Sequence, residues 1–159
     1  MTRSYLPAGL VVGIAVLVVV WGSYSAAKHV GSTYIDPSHR FSVQLPGRVT
    51  VEYIRADGGA IETLYLDADS ASEVQVTITS WPDSSSMLTK EAAERDYPSI
   101  SGFDIQPVSV AGVVGLAFED SKIGQSEVWF VSGGYLYQLV AHGNGAPLLR
   151  DIISNWKLN

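Results

Sequence analysis

The sequence contains no cysteine. That absence excludes disulfide bonds, thiolate nucleophiles, iron–sulfur clusters and zinc sites with cysteine ligands. Basic residues are also few, since ten Lys and Arg face 16 Asp and Glu and the formal net charge is −6. Such a chain offers no broad basic face for nucleic-acid phosphates. We therefore expect a protein that does not bind nucleic acid.

Catalytic residues are equally scarce. The chain has three histidines, and only His142 falls at the end of a predicted strand, where an active site could form. A Ser-His-Asp triad also needs a positioned serine, and the sequence has no Gly-x-Ser-x-Gly elbow. We predict that His142 is a surface or capping residue, that the protein is not an enzyme and that it uses no cofactor.

Charged side chains are missing from residues 4–27, a stretch that includes the apolar run 6–21. A helix over the whole uncharged stretch 4–27 would be about 36 Å long, whereas the hydrocarbon core of a bilayer is roughly 30 Å thick. Trp21 and Tyr24 fall where interfacial aromatic residues are common. The pattern predicts a transmembrane helix within a signal anchor over residues 1–27. We expect single-pass membrane attachment, with the rest of the chain on the extracytoplasmic side.

A cleaved signal peptide is the alternative interpretation of the same segment. Arg3 would be its basic end, and Ser25-Ala26-Ala27 would be the small-residue cleavage site. In that case the protein is secreted. Both interpretations predict a short linker over residues 28–33 and one extracytoplasmic globular domain over residues 34–159.

Apolar and polar residues alternate with a period of two through most of this domain, which indicates strands. The clearest runs are residues 41–45, 49–53, 61–67, 74–79, 103–110, 113–121, 127–131 and 135–142. Glycine-containing joints such as Gly133-Gly134 favour tight turns and therefore antiparallel pairing. Pro107 cannot donate a backbone hydrogen bond, so its strand is expected at an edge or a bulge.

Two segments have helical patterns instead. Residues 86–97 end before Pro98, and residues 147–156 carry Leu148, Ile152 and Trp156 on one stripe. Together the patterns predict an α+β fold, in which an antiparallel sheet of about seven strands is flanked by helices.

Several short segments are similar to the Mog1/PsbP-like domain family. They are Tyr34-Ile35-Asp36, Phe41-Ser42-Val43-Gln44-Leu45-Pro46, the stretch 108–115, the stretch 136–139, and the ending 153–158. The resemblance implies an α/β/α sandwich that binds other proteins without catalysis, as an extrinsic lumenal subunit of the oxygen-evolving photosystem does, or a partner of a small GTPase. It implies no particular functional residue in this chain.

One acidic turn is a weak candidate for a metal site. Asp67, Asp69 and Glu73 are close enough in sequence to offer oxygen ligands to a hard cation. The turn lacks the glycine and the final glutamate of an EF-hand loop, so a solvated turn between two strands is the competing interpretation.

Three aromatic residues, Trp129, Tyr135 and Tyr137, are candidates for a partner surface, because aromatic side chains often anchor interfaces. The competing interpretation places them in the core, where large apolar side chains are usually buried. The sequence thus predicts a membrane-tethered, noncatalytic binding or accessory domain whose partner is another protein. A carrier of a small apolar ligand and a metal-dependent hydrolase are the alternatives.

Overall fold

A computed structural model describes residues 25–30, 32–82, 87–120 and 122–159. These residues form eleven strands, two α-helices and two 3-10 turns. The strands are β1 (Ser25–Val30), β2 (Thr33–Ile35), β3 (Phe41–Gln44), β4 (Arg48–Ala56), β5 (Ile61–Asp69), β6 (Ser72–Ser80), β7 (Gln106–Val110), β8 (Val113–Asp120), β9 (Gln125–Ser132), β10 (Tyr135–Gly143) and β11 (Trp156–Leu158). The helices are α1 (Lys90–Asp96) and α2 (Ala146–Ser154), and the 3-10 turns cover Asp57–Gly59 and Pro98–Ile100.

The strands form two antiparallel sheets. The large sheet has eight strands in the order β1-β4-β5-β6-β10-β9-β8-β7, and the small sheet has the order β11-β3-β2. The two meanders β4-β5-β6 and β7-β8-β9-β10 meet where β6 pairs with β10. Pro107 lies in β7 at the edge of the large sheet, which confirms the prediction for that strand.

The two faces of the large sheet are covered differently. Val74, Val76 and Ile78 of β6 are buried on the face that packs against the small sheet and α2, together with Phe41 and Trp156. The opposite face is covered in part by a second apolar cluster, which includes Leu88 and Ala93 from the α1 region and Trp129 and Leu136 from the sheet. The period-two alternation follows directly from this arrangement, because successive side chains of a strand point to opposite faces.

The predicted α+β fold with about seven strands and flanking helices is wrong. The described part of the chain is mainly β, with two sheets and two short helices. Strands β2 and β11 have three residues each and were too short for the alternation to show. Helix α1 begins after its N-cap Thr89 rather than at residue 86, and α2 ends before Trp156, which instead starts β11.

The N-terminal expectations also need correction. The helix predicted over residues 1–27 lies mostly outside the described residues, and its last three residues belong to β1. Residues 28–30 continue β1, which pairs with β4, and Thr33 begins β2, so part of the linker predicted over residues 28–33 is strand. No helix in the described ranges is long and apolar enough to span a membrane.

Candidate functional site

A tight turn between β2 and β3 places a charged pair inside the protein. The Asp36 backbone N–H donates to the Phe41 carbonyl at 3.1 Å, and the His39 N–H donates to the Asp36 carbonyl at 2.7 Å. His39 takes a left-handed conformation with φ 56°, which closes the turn. As a result the Arg40 side chain folds back onto Asp36, with Nε 2.8 Å from Oδ2 and Nη2 2.9 Å from Oδ1.

A second carboxylate reaches the same guanidinium from the large sheet. Glu62 of β5 accepts a short hydrogen bond from Arg40 Nη2. The Tyr53 hydroxyl on β4 donates to Glu62 Oε2 at 3.0 Å, and Arg55 Nη2 lies 3.6 Å from Glu62 Oε1. We call these five residues, Asp36, Arg40, Tyr53, Arg55 and Glu62, the Arg40 cluster. Because Asp36 comes from the small-sheet side and Glu62 from the large sheet, the cluster joins the two layers.

The two carboxylates of the Arg40 cluster are buried, and a buried charge is unfavourable unless it is paired. Asp36 is fully buried and Glu62 is 4% exposed. Hydrogen bonds to Asp36 and Glu62 raise the pKa of the Arg40 guanidinium, whose carbon also lies 4.8 Å from the centre of the Tyr135 ring. Burial, aided by the hydrogen bond to Glu62, raises the pKa of Tyr53 to about 12. The charges of the cluster are therefore engaged with one another, an arrangement suited to holding two sheets together.

The acidic turn is a solvated hairpin. Asp69 Oδ1 accepts from the Ala71 N–H at 2.8 Å, and Asp67 is the cross-strand partner of Glu73. His142 Nε2 lies 3.9 Å from Glu73 Oε1. Burial, and then the neighbouring Asp67, raise the pKa of Glu73. Within the described ranges no group of three or more His, Asp or Glu side chains is arranged to hold a metal ion.

The aromatic candidates for a partner surface are mostly core residues. Trp129 is 5% exposed and Tyr137 is 1% exposed, so the partner-surface hypothesis is wrong for both. Tyr137 stacks on Phe130 with a ring-centre distance of 4.9 Å. Tyr135 is half-buried and lies under the Arg40 guanidinium. The alternation along β10 already permitted the core interpretation, because Tyr135, Tyr137 and Leu139 share one face.

Part of the outer face of the large sheet stays accessible. The α1 region packs over β8, β9 and the start of β10, whereas the outward residues on β4, β5, β6 and the middle of β10 are only half-buried. We call these residues the open face: Glu52, Ile54, Thr63, Tyr65, Gln75, Thr77, Gln138 and Val140. The alternation predicts which of them point away from the first core. It does not show which half of the sheet α1 covers, so the open face was not predicted.

Glu127 lies beside the open face on β9 and accepts a hydrogen bond from Trp129 Nε1 at 2.8 Å. Burial raises its pKa. A raised native pKa means that deprotonation disfavours the fold, so this contribution to stability is complete below the ordinary glutamate pKa and is lost as the pH rises.

Glu127→Gln keeps an acceptor for Trp129 and removes the charge. We expect it to raise the melting temperature at pH 7 and to leave it unchanged at pH 3, with the exposed change Glu119→Gln as control; an equal shift at both pH values would contradict this.

A shallow depression lies between the β3–β4 connection and the C-terminal end of α2. It holds about 350 Å³ and is lined by Gln44, Leu45, Pro46, Gly47, Asp151 and Asn155. The depression is open, and its lining is largely polar. It does not favour a carrier of an apolar ligand.

Comparison of the chain with protein-family models, with curated proteins and with solved structures gave no significant match. The similarity to Mog1/PsbP-like domains therefore stays a prediction from short segments.

Proposed function

We propose that this chain is a noncatalytic binding domain attached to a membrane and located on its extracytoplasmic side. The observation that carries the proposal is the stretch 4–27, which has no charged side chain and whose last three residues begin edge strand β1. A stretch of about 20 predominantly apolar residues is long enough to cross the hydrocarbon core of a bilayer. If the segment is cleaved after export, the same domain is secreted.

The Arg40 cluster supports a role without catalysis. Its carboxylates and guanidinium satisfy one another inside the protein, and Tyr53 adds a further hydrogen bond. Groups that act on a substrate must instead be within hydrogen-bond reach of the reacting atoms. The cluster is better suited to fixing the small sheet on the large one.

The open face supports a protein as the binding partner. Its threonine and glutamine side chains offer hydrogen bonds, while Tyr65, Ile54 and Val140 offer apolar area. Protein interfaces combine these features and are enriched in tyrosine. Glu52 on the face and Asp67 beside it add negative charge, which favours a partner with a basic contact surface.

Membrane attachment is tested with the full chain. Ile14→Asp combined with Val18→Asp puts two charges in the middle of the apolar segment, and each costs about 2.5–3.5 kcal/mol in the centre of a bilayer. We expect flotation with phosphatidylcholine vesicles to fall to background. The matched control, Thr2→Asp with Ser4→Asp, adds the same charge outside the apolar run and should float like the unchanged protein.

Equal flotation of the two double variants would overturn the proposed attachment. The side of the membrane is tested separately by adding protease to right-side-out membrane vesicles. Cleavage of the domain without lysis supports the extracytoplasmic location. Protection that ends only when the vesicles are lysed would contradict it.

A further inference from the structure

The direction in which the chain enters the domain determines which part of the domain is nearest the attached segment. β1 pairs antiparallel with β4, and Ser25 lies opposite Tyr53. β4 continues three residues beyond Tyr53 to Ala56, which is about 10 Å of strand. The turn after β4 therefore projects past Ser25, toward the residues that precede β1.

Two other turns lie at the same end, because every neighbouring pair in the large sheet is antiparallel. The β9–β10 turn at Gly133-Gly134 follows Ser132 and precedes Tyr135, which pairs with Ser80 at the end of β6. The β7–β8 turn at Ala111-Gly112 precedes Val113 at the start of β8. We call the turns 57–60, 111–112 and 133–134 the entry end of the sheet.

We infer that the entry end is a contact surface for a lipid bilayer. This inference rests on the membrane attachment proposed above. β1 begins at Ser25, so three residues, Gly22, Ser23 and Tyr24, lie in the sequence between the apolar run 6–21 and this strand. The turn after β4 projects beyond Ser25, so the entry end faces the bilayer in which the segment is held.

The side chains at the entry end suit a lipid surface. Ile61 is 39% exposed at the start of β5, and Val114 is 49% exposed at the start of β8. Small residues form most of the three turns. Arg55 near the end of β4 and Asp57 in the turn that follows carry opposite formal charges.

The opposite end of the sheet is acidic. It carries five acids, Asp67, Asp69, Glu73, Glu119 and Asp120, against two bases, Arg48 at the start of β4 and Lys122 in the turn after β8. β5 has nine residues, so its two ends are separated by about 27 Å. That distance exceeds the Debye length of about 8 Å at physiological ionic strength, so anionic lipids beneath the entry end would barely repel these acids. The reverse orientation would press five carboxylates against the lipid.

Single cysteines can test this orientation, because the chain has none of its own. Ala60→Cys and Ser70→Cys place a small exposed residue in the turn at each end of β5. Each full-chain variant is labelled with the same fluorophore and inserted into phosphatidylcholine vesicles with a minor share of phosphatidylglycerol and of a lipid that carries a nitroxide quencher on its headgroup. We expect quenching at residue 60 to be several-fold stronger than at residue 70.

The outcomes separate this inference from the proposal on which it rests. Equal quenching, or stronger quenching at residue 70, overturns the inference. Vesicle-bound protein that is quenched at neither position also overturns the inference but leaves the proposed attachment intact. Protein that does not float with vesicles contradicts both the inference and the proposed attachment. A second pair, Val114→Cys and Lys122→Cys, repeats the comparison near the two ends of β8 if either variant of the first pair loses the normal thermal transition.

Discussion

Replacing Arg40 by methionine is expected to lower the free energy of unfolding by about 3–5 kcal/mol, because it leaves buried carboxylates without their cation. Asp36 is fully buried and makes two hydrogen bonds to the Arg40 side chain. Glu62 would keep only the Tyr53 hydroxyl and the more distant Arg55. Urea denaturation followed by tryptophan fluorescence measures the change.

Two further variants show whether buried charge is the cause. Tyr53→Phe removes one hydrogen bond from Glu62 and should cost only about 1 kcal/mol. Adding Asp36→Asn and Glu62→Gln to Arg40→Met removes the unpaired charges and should recover a substantial part of the loss. If Arg40→Met costs no more than Tyr53→Phe, the Arg40 cluster does not hold the two sheets together.

Phe41→Ala is expected to cost about 3–5 kcal/mol, the usual range for removing a fully buried aromatic side chain. Phe41 has 0% exposure, stacks on Trp156 at 4.2 Å between ring centres and meets Tyr137 edge-on at 5.9 Å. Its loss would open a cavity where the small sheet meets the large sheet. The midpoint of urea denaturation measures the effect.

The matched control for this variant is Ile35→Ala on neighbouring strand β2. Ile35 is 53% exposed, and exposed substitutions usually change stability by less than about 0.5 kcal/mol. A similar loss in both variants would show that the Phe41 site collapses around the missing ring and that the aromatic contacts add little.

Local sequence patterns predicted most long strands. In β6 Val74, Val76 and Ile78 alternate with polar residues from residue 73 to residue 79, and this period of two excludes helical spacing. Pro107 predicted an edge strand because its missing N–H is tolerated only where no neighbour needs it. These features depend on the residue and its immediate neighbours, so no knowledge of the fold was needed.

The candidate site was not predictable in the same way. Arg40 and Glu62 are 22 positions apart, and no local pattern connects a turn residue with a strand residue in another sheet. Asp36 and Glu62 look like ordinary surface acids in the sequence. β1 was also missed, because the small residues that begin it resemble a linker or a cleavage site and only pairing with β4 makes them a strand.

By itself the sequence determined the absence of thiol chemistry, the acidic charge, the uncharged segment 4–24 and the alternation that produces the strands. The tertiary structure alone decided that three short strands form a separate sheet, that α1 leaves part of one face of the large sheet open, and that Arg40 meets two buried carboxylates. The physical reason is range. Alternation, turns and charge are set by a few neighbouring residues. Sheet order and buried ion pairs depend instead on which distant segments of the chain pack against one another.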